Sequence, residues 1–211
     1  MILAAVFAAI LFIILGVNKT IAVDVTIFKF INTHHTAFFD VILLLLTYLG
    51  NGWIIYPIFV AFLFWKIPKN RRLRILVVAA VALSISGIFN SAVKIAVNRP
   101  RPSVYFVSPA GDAENGKSPL YRVHEVGPKF SNQSFPSGHT NTAFALATLL
   151  VLIFGMRYRP AFLVAIAIAY SRIYLGAHFP LDTLVGAMIG SVLTLVVWNQ
   201  ATIIIRRKYG T

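Results

Sequence analysis

The side chains able to do chemistry in this chain stand at the ends of apolar runs. Lys94 and Arg172 close two such runs, Arg101 follows a proline-rich break, and His139, His178 and Asp182 sit where the next runs begin. Ionisable groups in such positions are costly and usually functional. Three cations with one nearby carboxylate describe an anion site, and Arg suits bidentate contact with phosphate oxygens. Pro136-Ser137-Gly138-His139 opens an apolar helix. Ser137 brings a hydroxyl there and Gly138 lets backbone approach a ligand closely, beside free N–H groups and a helix dipole that favour an anion. In His178-Phe179-Pro180-Leu181-Asp182, Pro180 as first helical residue sets Asp182 in the first turn. Its carboxylate then reaches one nitrogen of His178, fixes the tautomer and leaves the other nitrogen as a nucleophile. His139 arrives from another helix, placed to protonate a leaving group, since an unperturbed histidine titrates near pH ~6.5. The implied reaction is attack on phosphorus, giving a phosphohistidine that water hydrolyses.

The elements that must position these groups follow from composition. The 211 residues are 58% hydrophobic and 12% charged, with 19 Lys+Arg against 6 Asp+Glu. Such a chain has too little polar surface for a soluble globule and too much apolar material for disorder. It contains no cysteine, which excludes a disulfide framework, an iron–sulfur cluster and thiol catalysis. The expectation is an all-α, polytopic membrane protein, one domain over residues 1–211, with six transmembrane helices, an interfacial helix and a long extracytoplasmic loop. A span needs about 20 mostly apolar residues. The expected spans are Met1–Val17, Trp53–Trp65, Ile75–Val97, Thr140–Met156, Ala161–Leu175 and Leu181–Ile205. Met1–Val17 lacks a basic n-region and reads as a retained helix. Gly50-Asn51-Gly52 breaks the apolar region 37–65, leaving an interfacial helix over Phe38–Leu49.

Six crossings put Lys66, Lys69, Arg71, Arg72 and Arg74 in the second connection, Arg157 and Arg159 in the fourth, and Arg206, Arg207 and Lys208 in the tail, all on one side. The positive-inside rule makes that side cytoplasmic, with both termini. Connections 18–52, 98–139 and 176–180 then face outward, and so do the chemistry-bearing residues. Topology thus accounts for much of the +13 net charge, and a nucleic-acid partner is not expected.

Blander roles compete for several residues. Lys94 alone would read as a snorkelling side chain. Arg99 is balanced between headgroup contact and a solvated loop. His124, Arg122, Lys117 and Lys129 read as a solvated loop, with headgroup recognition as the rival. His34-His35 reads as an interfacial pair, and no zinc or calcium signature occurs. Gly186-x-x-x-Gly190 permits close helix packing.

Taken together, the residues resemble the three motifs of the type-2 phosphatidic acid phosphatase superfamily. Lys94…Arg101-Pro102 matches Lys-x6-Arg-Pro, Pro136-Ser137-Gly138-His139 matches Pro-Ser-Gly-His, and Ser171-Arg172…His178…Asp182 matches Ser-Arg-x5-His-x3-Asp. The resemblance implies a six-helix, metal-independent lipid phosphatase with no cofactor. It implies His178 as nucleophile, Asp182 as its partner and His139 as general acid, with Lys94, Arg101, Ser137, Gly138 and Arg172 on the phosphoryl oxygens. The expected substrate is a lipid phosphate or diphosphate at the outer leaflet of a bacterial inner membrane: lipid A 1-phosphate, undecaprenyl diphosphate, phosphatidylglycerol phosphate or phosphatidic acid. The long loop 103–135 suits a bulky headgroup such as lipid A. A phosphotransferase sharing the phosphohistidine, or an anion transporter using the same basic pocket, are the rival functions. No obligate protein partner is evident.

Overall fold

The computed structural model describes residues 21–106, 121–127 and 133–209. The expected span Met1–Val17, Lys117, Lys129 and much of the loop 103–135 lie outside them. The described residues form helices and no strand. In chain order they are α1 (Ile21–Thr33), α2 (Ala37–Tyr48), α3 (Gly52–Lys66), α4 (Lys69–Val97), the single turn α5 (Pro102–Tyr105), α6 (Gly138–Phe154), α7 (Ala161–Tyr174) and α8 (Pro180–Tyr209).

Local chemistry explains most boundaries. Thr36 caps α2 and Asn51 caps α3, each accepting a backbone N–H with its side chain. The Gly50-Asn51-Gly52 break therefore falls where expected. α4 ends on Asn98, held in the left-handed region at φ 47°, just ahead of Pro100. Ser137 caps α6, and Gly155 at φ 89° stops it. Pro180 is the first residue of α8.

One element was not expected and one expectation needs correction. Residues 21–33, within the connection 18–52, are helical. Asp24, Phe28 and Asn32, four residues apart, are all buried along one face, a stripe whose polar members hide its period. The basic cluster Lys69–Arg74 occupies the first turns of α4, because the helix starts directly after Pro68 and the connection shrinks to Ile67-Pro68.

α6 and α8 form the central pair, and both pack against α4 and against α7. α4 (29 residues) and residues Pro180–Ile205 of α8 are long and apolar enough to cross a membrane. α1 and α2 pass that test only as a pair bent by 118°, while α3 and α6 are shorter apolar helices. Trp53, Trp65, Ile88 and Leu163 stand exposed on the outside, as a lipid-facing surface requires.

Candidate active site

Four chain breaks converge at one end of the bundle. After α4, the strand-like stretch Arg99-Pro100 runs against Gln133-Ser134: the Ser134 N–H donates to the Arg99 carbonyl at 2.8 Å and its hydroxyl to the Pro100 carbonyl at 3.0 Å. The Ser137 N–H donates to the Asp182 carbonyl at 2.9 Å, which stitches the start of α6 to the start of α8. The α7 end is closed by the His178 N–H on the Arg172 carbonyl at 3.1 Å. Lys94, Arg101, Ser137, Gly138, His139, Arg172, His178 and Asp182 are thereby gathered into one region, although they come from four helix ends.

Lys94 is half-buried, and its Nζ donates to the Gln133 and Ser134 carbonyls at 3.4 Å. Arg101 is buried, its Nη1 donating to the Ala177 carbonyl at 3.0 Å. Arg172 is buried and donates from Nη1 to the Thr47 hydroxyl at 3.0 Å. His139 lies within reach of the charges of Arg172, His178, Arg101 and Lys94. A Cβ on Gly50 would meet the Ile168 side chain at 2.8 Å and the His139 Cβ and carbonyl at 3.0 and 3.1 Å, so the glycine break before α3 lets the chain approach the start of α6 closely.

His178 is 2% exposed and Asp182 fully buried. Nδ1 of His178 lies 3.4 Å from Oδ2 of Asp182, an ion-pair contact looser than a formed hydrogen bond. That carboxylate is fixed by the Phe179 N–H at 2.9 Å and by Arg99 Nη1 at 2.7 Å. Burial, then the charges of Arg172, Arg101 and Lys94, hold the His178 imidazole well below its ordinary value, against an opposing interaction with the Ser134 backbone. The ring is therefore neutral at physiological pH, with a nitrogen lone pair available.

Residues 73–206 match the PAP2 superfamily, which covers more than half of the chain. The chain belongs to that superfamily. The PAP2 chain is 29% identical over 175 residues to the lipid A 4'-phosphatase of Bacteroides thetaiotaomicron, covering 80% of this chain and 72% of the relative. It is 25% identical over 184 residues to the undecaprenyl-diphosphatase of Sulfolobus acidocaldarius, covering 87% and 81%. Among solved structures, Aquifex aeolicus LpxE is 31% identical at a TM-score of 0.65, covering 83% of this chain and 94% of that one. A PAP2 type phosphatidylglycerolphosphate phosphatase from Bacillus subtilis shares the fold at a TM-score of 0.70 and 24% identity, covering 95% and 96%. This PAP2 protein is a membrane phosphatase.

Some residues around the PAP2 site escape sequence reasoning. Arg99 is neither in a solvated loop nor at a headgroup surface: it is buried and paired with Asp24 and Asp182. Asp24 and Thr47 come from helices outside the matched segment. His124 is likewise fastened rather than solvated. Its Nε2 contacts both Asp40 carboxylate oxygens at 3.0 Å, and its backbone is clasped by the Asn32 side chain at 2.8 and 2.9 Å. His35 stacks on it with ring centroids 3.5 Å apart and planes 3° from parallel. Although His35, Asp40 and His124 bring ligand atoms within 4.8 Å of one another, parallel stacked rings do not aim at a common ion. The arrangement is a hydrogen-bonded clasp of 121–127 onto the α1–α2 corner.

Proposed function

We propose that this PAP2 phosphatase hydrolyses a lipid phosphate or diphosphate at the outer leaflet by double displacement through His178. The observation that carries the reading is a buried imidazole 3.4 Å from a fixed carboxylate and faced by Lys94, Arg101 and Arg172. The phosphoryl group sits among these three cations and the α6 N-terminus at Ser137 and Gly138. Nε2 of His178 attacks phosphorus, the bond to the leaving oxygen breaks, and His139 gives that oxygen its proton. The product alcohol or lipid phosphate departs. His139 then takes a proton from water, whose oxygen attacks phosphorus, and inorganic phosphate leaves as the His178–phosphorus bond breaks. Asp182 faces Nδ1 throughout and stabilises the positive ring of the phosphohistidine. Three fixed cations stabilise charge on the transferring group without a metal ion.

A hydrocarbon chain fits the apolar groove between α3 and α4, a cavity of about 780 Å³. Ser91 and Ile95 line it and flank Lys94 on the same helix. Tyr56 lines its opposite wall, with its hydroxyl 3.4 Å from Thr142, one turn beyond His139. In this reading six crossings leave both termini cytoplasmic and the site outward. The substrate candidates are lipid A phosphates, undecaprenyl diphosphate, phosphatidylglycerol phosphate and phosphatidic acid; the lipid A and undecaprenyl relatives give the first two the most support.

The deciding experiment is inorganic phosphate release by purified protein in detergent, with chelator present, over that panel. Release with chelator is expected, and the relative rates rank the headgroups. No release from any lipid by folded protein would overturn the reading. Thr47→Val tests the second layer. Removing one hydrogen bond to a buried guanidinium, worth about 1.5–3 kcal/mol, is expected to raise KM at least about tenfold. An unchanged KM would mean that Thr47 does not orient Arg172 for substrate.

A further inference from the structure

Asp24 is a buried carboxylate that the proposed reaction leaves without a role. Its Oδ2 accepts from Arg99 Nη2 at 2.6 Å and its Oδ1 accepts from the Leu181 N–H at 2.8 Å. The other terminal nitrogen of Arg99 donates to Asp182 Oδ1 at 2.7 Å, and the guanidinium lies over the Phe179 ring at 4.3 Å. Arg99 thus bridges two carboxylates. The side chains of Arg99, Asp24 and Asp182 are 7%, 4% and 0% exposed. Each carboxylate presents both oxygens to N–H donors, which is the pattern of the ionised form.

Charge counting gives the trio a purpose. One guanidinium between two carboxylates leaves one net negative charge behind His178. With Arg99 and Asp182 alone the balance would be zero. The remaining charged neighbours of the imidazole among the described residues, Lys94, Arg101 and Arg172, are all positive; His139 stands with them, and the carboxylate of Glu125 acts on Arg101 rather than on the ring. When Nε2 bonds to phosphorus and Nδ1 keeps its proton, the ring becomes cationic. In a buried site that charge is strongly destabilised unless an uncancelled negative charge lies beside it. Arg99 orients Asp182 but would also neutralise it. Asp24 offsets Arg99.

We infer that Asp24 is a positioning residue which, through Arg99, keeps Asp182 both oriented and uncancelled while the phosphohistidine forms. The inference rests on His178 being the nucleophile. A wild-type protein that releases no phosphate would remove that foundation, and this is distinguishable from every outcome below.

The test compares wild type, Asp24→Asn and the double variant Asp24→Asn/Arg99→Gln, full length in detergent. The readouts are kcat, KM, the rate of phosphoenzyme formation and thermal unfolding. Asp24→Asn is expected to lower kcat and the phosphoenzyme rate about 10²-fold with KM within about threefold, because the interaction lost is made only as charge develops on the ring. The double variant restores the single negative charge and is expected to recover at least about tenfold of that loss. A purely structural contact predicts the reverse, with the second substitution adding to the damage. If Asp24→Asn fails to fold, the double variant decides alone: kcat within about tenfold of wild type upholds the charge balance, and any greater loss overturns it. A folded Asp24→Asn with wild-type kcat would overturn it as well.

Discussion

His178→Ala is expected to lower phosphate release by at least about 10³-fold, with the loss in kcat rather than in substrate binding. The asymmetry follows from the division of labour at the site. Lys94, Arg101 and Arg172 are held by carbonyls of residues 133, 134 and 177 and by the Thr47 hydroxyl, and none of these contacts runs through the His178 ring. Anion binding therefore survives when the ring is removed. With His178 as the nucleophile, its loss leaves only direct attack by water, and the Asp182 carboxylate is oriented by Arg99 and the Phe179 N–H toward the ring rather than toward a water at phosphorus. The check is paired: phosphate release from the best lipid of the panel, and binding of inorganic phosphate to the variant. A variant that keeps a tenth of wild-type turnover would end the phosphohistidine reading, however well the rest of the site fits.

Gly186→Ala is expected to cost both stability and turnover, through the backbone. A Cβ at this position would stand 2.5 Å from the Ser137 carbonyl oxygen and 3.4 Å from the Asn141 nitrogen. One turn on, a Cβ at Gly190 would collide with the Asn141 carbonyl. These obstacles are backbone atoms of α6, so no side chain can swing aside, and the two helices must part. Overpacking of this kind costs about 1–3 kcal/mol. The shift needed is on the order of 1 Å, and it falls on the turn that carries Ser137 and Gly138, where such a displacement is worth about 10²-fold in rate. Thermal unfolding and kcat of Gly186→Ala, measured beside Gly87→Ala as a stability control, would check this. A Cβ at Gly87 meets nothing within 4 Å, so its stability is expected to match or exceed wild type. Wild-type kcat and unfolding temperature in Gly186→Ala would refute the close-packing argument.

The residues proposed to face the phosphoryl group were legible because each violates its surroundings. A lysine, an arginine or a histidine in an apolar run is visible without any fold, and Pro100, Pro136 and Pro180 mark the chain breaks that bring them together. The glycines of the α6–α8 contact were legible by spacing alone. The second layer was not. Thr47 is an ordinary residue in an ordinary helix until Arg172 reaches it from elsewhere in the chain. Arg99, beside a motif, carried no mark separating a buried bridge from a solvated side chain, because its partners Asp24 and Asp182 lie far from it in sequence. The helix 21–33 went unseen for the same reason. Its inward face carries Asp24 and Asn32, whose polarity is explained only by what they bind: Arg99 and Leu181 in one case, Tyr121, His124 and Tyr174 in the other.

The contacts made by α1 and α2 set a limit on how portable this chemistry is. All the residues proposed to touch the phosphoryl group lie within 94–182, inside the family match at 73–206. The oxygens that anchor Arg99 and Arg172 from outside belong to Asp24 and Thr47, before that segment begins. A chimera that exchanges only the matched segment with a relative would inherit every motif yet meet a foreign pair of anchors. Such grafts should be drawn from Asp24 onward, so that the two arginines and the helices that hold them travel as one inheritance.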